Sequence, residues 1–414
     1  MSQVRALWGA LFRARSSVRS ERPAHNRAVM GSNPFGPIFL YLTFFQFMLS
    51  ISCGPVRDLK RFLTLDNQAT SMKCPVCGSD CVESASEILA SIPSVFLPCG
   101  KCRGRILDKR LPLPSLEYEE PCACGKRFID EVFSHLYVIM VEDGDLLRSA
   151  PLIDVGSPLV HPGFAMDQPP FLPKDSLVLV SSRVTKNTAE RMLREVPEVR
   201  GVVRRGDFVP GITGPDLTVP PRIYDLLAGC DVRADIFPLR TARLVMYKQQ
   251  SLIHIEFPRP GYPKIRSVEK HIGVPPANFF IDACAGIGTL GLAAACLGVP
   301  RVVMNDAWYA SAFWSACNLE VNKEYLRVDG VRIYGRLEDM AYRPVGTGPV
   351  KIADTEGEQD VEVFHGDFRQ LPSVLPPGTT AVTALDLFDK RDTGAINRAK
   401  SEWLLKVGGD VFVP

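Results

Sequence analysis

Phe279-Phe-Ile-Asp282-Ala-Cys-Ala-Gly286-Ile-Gly288-Thr-Leu-Gly291 decides the fold. Residues 279–281 are apolar and read as a strand, and the glycines after them as a tight turn. Small residues from Leu290 to Leu297 then form a helix that Gly298 and Pro300 stop. Gly286-x-Gly288-x-x-Gly291 has the spacing of a dinucleotide fingerprint, in which glycines let the backbone and a helix N-terminus approach a ligand closely. Twenty residues after Gly286, the strand Arg301-Val-Val-Met-Asn ends in Asp306, where an acid suits the two hydroxyls of a ribose. Nicotinamide, flavin and S-adenosylmethionine enzymes share this geometry, and Asp282 separates them. A dinucleotide brings a pyrophosphate to the turn and has no use for a carboxylate there, whereas an ammonium and a sulfonium attract one.

With that acid in place, Asp282-x-x-Ala285-Gly286-Ile-Gly288, followed by a strand, Asn305-Asp306 and a helix, resembles the class I S-adenosylmethionine-dependent methyltransferases. Ala285-Gly-Ile-Gly288 and Asn318-Leu-Glu-Val-Asn322-Lys323 are similar to the archaeal and eukaryal guanine-37 and wybutosine group, which modifies transfer RNA. The likeness is specific over residues 279–323 and generic elsewhere. It implies an α/β, Rossmann-like methyltransferase region over residues 276–414 that binds S-adenosyl-L-methionine. Asp282, Ala285, Gly286 and Gly288 would surround the amino-acid part of that cofactor, and Asp306 would hold its ribose. Val361-Glu-Val-Phe-His-Gly366-Asp367-Phe368 looks like the family's third motif and would place Asp367 beside the adenine amino group. Residues 330–358 would then be an insertion, with Asp339 as the fallback acid. A plain loop acid or helix cap is the structural alternative for Asp367.

The fourth strand, Thr379-Ala-Val-Thr-Ala-Leu-Asp386-Leu-Phe-Asp389-Lys390, departs from the family. Amino-group methylases carry Asn/Asp-Pro-Pro-aromatic there and the transfer-RNA group a related Asn-x-Pro, and neither is present. The departure weakens any transfer of base N-methylation to this chain. Asp386 or Asp389 instead becomes the candidate to orient or deprotonate a nucleophile, although Asp389 also fits a helix cap with Asp392. Cys284, Cys296 and Cys317 read as core thiols. Residues 403–414, with Gly408-Gly409, resemble the fifth strand, and the family's closing strands six and seven have no sequence left. That leaves a shortened fold and an incomplete chain both open.

Seven of the twelve cysteines fall between residues 74 and 124. Cys74-Pro-Val-Cys77 and Cys99-Gly-Lys-Cys102 are two C-x2-C pairs with 21 residues between them, close to the spacing of a zinc ribbon, since two thiolates three apart on a turn can share a tetrahedral ion. Cys122-Ala-Cys124 is a third knuckle that either replaces one pair or joins Cys81 in a second site. Zinc is the expected metal, in a closed structural or recognition module spanning residues 72–150. A disulfide framework would need an oxidising compartment, which the sequence does not support.

The chain has 414 residues, is 46% hydrophobic and 23% charged, and carries a formal net charge of +2. That total excludes a strongly basic nucleic-acid binder, but it joins unlike parts. Residues 1–71 hold nine Lys/Arg against three Asp/Glu, and residues 72–414 hold 39 against 43. The leader's arginines ahead of an apolar run from Pro37 to Ile51 resemble a signal peptide or anchor, but the run is short and interrupted. Gly31-Ser32-Asn33-Pro34 and Pro23-Ala24-His25-Asn26-Arg27 can be encoded by the T arm and the anticodon arm of a transfer-RNA gene. The favoured expectation is therefore that residues 1–71 are translated upstream DNA, or a disordered leader, and that Met72 is the start.

Residues 151–275 read as a mixed α+β substrate-recognition domain. Strands are expected at 177–181, 199–205, 244–248 and 252–257, and a helix at 187–195 capped by Thr185. The segment holds 17 Lys/Arg against 13 Asp/Glu, and Arg204, Arg205, Arg240 and Arg243 can meet phosphate or simply form a solvated face. These features point to a cytoplasmic S-adenosylmethionine-dependent methyltransferase with no stable membrane association. Its partner would be a macromolecule, with RNA, transfer RNA in particular, ahead of a protein side chain. An NAD-dependent oxidoreductase and a non-catalytic binding module are the alternatives.

Overall fold

The structure is a computed structural model, and it describes residues 72–414 apart from 213, 215, 342–344, 347, 388 and 389. The expectations for residues 1–71 lie outside the described residues. The cysteine-rich part contributes helix α1 (Ala85–Val95), strand β1 (Arg127–Phe128) and helix α2 (Ile129–Glu142). Ser84 and Glu87 form a reciprocal capping box that starts α1. Helix α2 is buried continuously from Asp130 to Met140, and β1 pairs with β3 (Phe171–Leu172). Arg127 and Glu198, both buried, tie this part to the start of β5 through hydrogen bonds of 3.0 and 2.5 Å.

The middle of the chain builds a four-stranded sheet in the order β2 (Ser157–Val160), β4 (Leu177–Ser181), β5 (Val199–Arg204), β6 (Asp225–Gly229). Helix α3 (Lys186–Glu195) crosses between the parallel pair β4 and β5, with Thr185 accepting from the Thr188 N–H as its cap. Strand β4 is buried along its whole length, as an apolar run without alternation predicts. Beside it, β7 (Val232–Pro238) and β8 (Arg243–Gln249) form an antiparallel ribbon. The strand expected at 252–257 is not there. Asp231 Oδ2 accepts from the Ser251 N–H and turns the chain at the end of β8, and residues up to Pro258 run irregularly.

The C-terminal part is an α/β sheet ordered β11-β12-β13-β10-β9-β14-β15. Strand β9 (Phe279–Asp282) leads through the glycine turn into α5 (Thr289–Cys296), after helix α4 (Pro263–Ile272) has come before it. Strand β10 (Arg301–Asp306) runs parallel to β9, and helix α6 (Tyr309–Val321) follows. Strands β13 (Asp360–His365), β14 (Thr380–Ala384) and β15 (Gly408–Phe412) complete a parallel block, with helix α8 (Thr393–Leu404) joining the last two. This is the expected doubly wound, Rossmann-like arrangement. The residues expected as an insertion form β11 (Val328–Ile333), a short helix α7 (Leu337–Ala341) and β12 (Val350–Gly357), an antiparallel extension beyond β13.

Chain direction fixes where a ligand can lie. From β9 the chain winds outward through β10 to β13, then returns to place β14 on the other side of β9. The loops leaving β9 and β14 therefore part company, opening a crevice at the carboxyl edge. One apolar core joins Cys74, Val82 and Ile88 to Cys230, to β7 and β8, and to α5 and α6. Asn318 and Asn322 of α6 secure that joint through side-chain hydrogen bonds to the backbone of Val245 and Tyr247.

Candidate active site and cysteine centres

Asp282 ends β9 fully buried. Its Oδ2 accepts from the Gly291 N–H at 2.9 Å, while Oδ1 is buried with no hydrogen-bond partner among the described residues. Burial first, and then the neighbouring Asp386, push this carboxyl up to about 8. Asp306 ends β10, accepting from the Gly286 N–H and the Trp308 N–H, both at 2.8 Å, and burial raises it to about 6. Asp282, fully buried, and Asp306, partly buried, have no cation in contact among the described residues, and together they make a site shaped for positive charge and for hydroxyl donors.

The turn between these acids depends on its glycines. Gly288 adopts φ 89°, the left-handed conformation, and starts α5. A Cβ on Gly291 would lie 2.4 Å from Met304 Cγ and 2.6 Å from its Sδ, so only glycine lets α5 sit this close to β10. Met304 is fully buried and has little room to retreat. Gly291→Ala is expected to cost about 1–3 kcal/mol, read as a lowered midpoint in thermal denaturation. Ala285 is 7% exposed and donates its N–H to Asn305 O, which pins the turn to β10.

Asp386 follows β14 and faces the same crevice. Lys264, from the first turn of α4, meets its Oδ2 at 2.7 Å, and Lys390 meets its Oδ1 at 2.9 Å. Lys264 also reaches Glu256 at 3.1 Å, and the Tyr262 hydroxyl donates to that same carboxylate. Nothing in the sequence marked Lys264, Glu256 or Tyr262: Glu256 falls in the stretch expected as a strand, and Tyr262 and Lys264 flank Pro263 with no motif around them. Asp389 lies outside the described residues. Asp367 is 7% exposed and already engaged, since Arg369 grips both its oxygens and its Oδ1 accepts from the Arg369 N–H. It caps a six-residue 3-10 helix (Phe368–Ser373), the plain cap that is its structural alternative. Asp339 is exposed on α7. Cys284, expected in the core, is instead partly exposed, and burial followed by Asp306, Asp282, Asp386 and Asp367 pushes its thiol up.

The structure divides the cysteines differently from the spacing. The two C-x2-C pairs do not share an ion site. Cys99, Cys102, Cys122 and Cys124 form one group, with Sγ separations of 3.6, 3.6 and 3.4 Å along 99–122, 99–102 and 102–124. Cys74, Cys77 and Cys81 form another with Cys230, from the turn between β6 and β7, which the spacing did not reveal. Its separations are 3.7 Å for 74–230, 3.5 Å for 77–81 and 4.0 Å for 81–230. A zinc–sulfur bond of about 2.3 Å gives a tetrahedral edge of about 3.8 Å. Each of these thiols is free, and a disulfide would need sulfurs about 2.05 Å apart. The donor sets fit a thiophilic divalent metal, and the Val76, Cys99 and Lys101 N–H groups donate to the sulfurs of Cys74, Cys102 and Cys99 as second partners.

No known family and no curated protein matches the sequence. Among solved structures the chain is similar to P. horikoshii TYW2 in complex with MeSAdo, at 18% identity over 50% of this chain and 58% of that one, with a TM-score of 0.27. It is also similar to Trm5b from Pyrococcus abyssi, at 15% identity over 62% and 58%, TM-score 0.34. A SAM-dependent methyltransferase from Agrobacterium tumefaciens follows at 11% identity over 50% and 54%, TM-score 0.22. The chain spans a little over half the length of each, and likeness this slight says nothing of activity. Among the described residues, no helix is long and apolar enough to cross a membrane.

Proposed function

We propose that the chain is an S-adenosylmethionine-dependent methyltransferase whose acceptor is RNA. The observation that carries the cofactor assignment is the Asp282 carboxylate, 2.9 Å from the Gly291 N–H. In a dinucleotide site an amide of that helix N-terminus would be free for pyrophosphate, and a carboxylate there would repel it. The orphaned Asp282 Oδ1 is an acceptor suited to an ammonium, and each Asp306 oxygen keeps a lone pair for a ribose hydroxyl. S-adenosylmethionine, when bound, supplies a methyl group on a positively charged sulfur. Asp282 would hold its ammonium, Asp306 its ribose, and the backbone of Ala285, Gly286 and Gly288 would let it lie close to the turn. Asp386, steadied by Lys264 and Lys390, would accept a hydrogen bond or a proton from the acceptor group and so aim its lone pair.

For RNA rather than protein, the supporting feature is a small stacking cluster in the connection between β5 and β6. Phe208 and Tyr224 have ring centroids 5.3 Å apart, and the exposed Arg222 guanidinium lies 3.9 Å from the Phe208 centroid. Such an aromatic and arginine face stacks unpaired bases, and the exposed Arg240 and Arg243 add charge for phosphate. The two cysteine groups would each hold zinc. Incubation with methyl-labelled S-adenosylmethionine and total cellular RNA and protein, followed by nuclease or protease digestion, tests the assignment. The label is expected in nuclease-sensitive material, and label removed by protease alone would overturn the RNA acceptor.

A further inference from the structure

The two cysteine groups carry different electrostatic burdens. A divalent ion on four thiolates has a net charge of −2. Around Cys99, Cys102, Cys122 and Cys124, all at least partly exposed, water can screen that charge. Around Cys74 and Cys230, which are 2% and 7% exposed, it cannot do so equally. A buried charge of this kind needs a partner.

Arg200, near the start of β5, is placed to be that partner. Its guanidinium faces the Cys81 and Cys230 thiols, and its Nη2 donates to the Cys81 carbonyl at 3.3 Å. Its Nε is buried without a hydrogen-bond partner among the described residues, which leaves a donor of this guanidinium unspent. His161 is the other basic group close to Cys81, but its Nδ1 accepts from the Ala234 N–H and so carries no proton. His161 is therefore neutral, and the positive charge at this centre comes from Arg200.

We propose that Arg200 is the charge-balancing partner of a half-buried metal centre at Cys74, Cys77, Cys81 and Cys230, whose buried side is formed by Cys74 and Cys230, and that this centre holds its ion far longer than the one at Cys99, Cys102, Cys122 and Cys124. The inference rests on reading both groups as metal sites. Three ligands come from the knuckle and the fourth from a turn 149 residues past Cys81, so the ion pins the knuckle to the β7–β8 ribbon. Pro75 and Val76 of that knuckle line a cleft of about 330 Å³ with Leu252 and Tyr309, the residue that opens α6 just beyond Asp306. The metal would thus set one wall of the region beside the cofactor.

Metal release from the full chain to a chromogenic chelator tests this. Two zinc ions per chain are expected to leave in two phases. Cys230→Ser removes the slow phase, and Cys99→Ser with Cys102→Ser removes the fast one. Arg200→Gln is expected to accelerate the slow phase by about 10–100-fold and leave the fast phase unchanged. Arg200→Lys, which keeps the charge and loses the fork, falls between, and it decides the matter if Arg200→Gln does not fold. A slow phase that is unchanged in these variants overturns the role of Arg200. Absence of bound metal in the wild type overturns the metal reading itself.

Discussion

Asp306→Ala is expected to weaken binding of S-adenosylhomocysteine by about 10²-fold or more. The carboxylate would accept from both ribose hydroxyls, and hydrogen bonds to a charged group contribute about 1.5–3 kcal/mol each. The change also frees the N–H groups of Gly286 and Trp308, so the turn itself loosens. Asp306→Asn separates the two effects, because it keeps one acceptor for the turn and loses the charge. A midpoint of thermal denaturation close to the wild type, with affinity lost, places the effect on the ligand. The pH dependence has a definite sign. Asp306 is raised to about 6 and Asp282 to about 8, and the protonated forms are poor acceptors, so affinity rises as pH climbs through each value. Ligand binding near neutral pH would release a proton from Asp282, visible by calorimetry in buffers of different ionisation enthalpy.

Asp386→Asn is expected to lower kcat by about 10²–10⁴-fold, with affinity for S-adenosylhomocysteine nearly unchanged. Asp386 stands just past the carboxyl end of β14, and the two lysines hold its oxygens at 2.7 and 2.9 Å. An asparagine keeps the shape but cannot take a proton, so the loss falls on the transfer step. A variant with full kcat would leave Asp386 as nothing more than an anchor for Lys264 and Lys390. Single-turnover methyl transfer at saturating cofactor reads this directly.

Much of the sheet was legible because local signals agreed. Apolar runs at 279–281 and 301–305, a glycine turn between small-residue helix and strand, and acids at strand ends each point the same way, and β9, β10 and their acids lie where those signals put them. The cysteine pairing was only half legible. Spacing groups residues near in sequence, and Cys230 stands alone beyond the knuckles, brought to them only by the β6–β7 turn. Lys264 and Glu256 were invisible for a similar reason, since Glu256 falls in the stretch expected as a strand and Lys264 follows Pro263 without a period, and their pairing comes only when α4 packs beside β14. The segment 252–257 alternates well enough for a strand, yet the Asp231–Ser251 hydrogen bond turns the chain before pairing can continue. For Asp367, sequence could not show that Arg369, two residues on, takes up both of its oxygens.

The central claim is the nature of the ligand at the β9 turn, and calorimetric titration of the wild-type chain with S-adenosylhomocysteine and, separately, with NAD tests it most directly. The geometry of Asp282 predicts saturable binding of S-adenosylhomocysteine and little or none of NAD. Preferential binding of NAD would contradict the assignment.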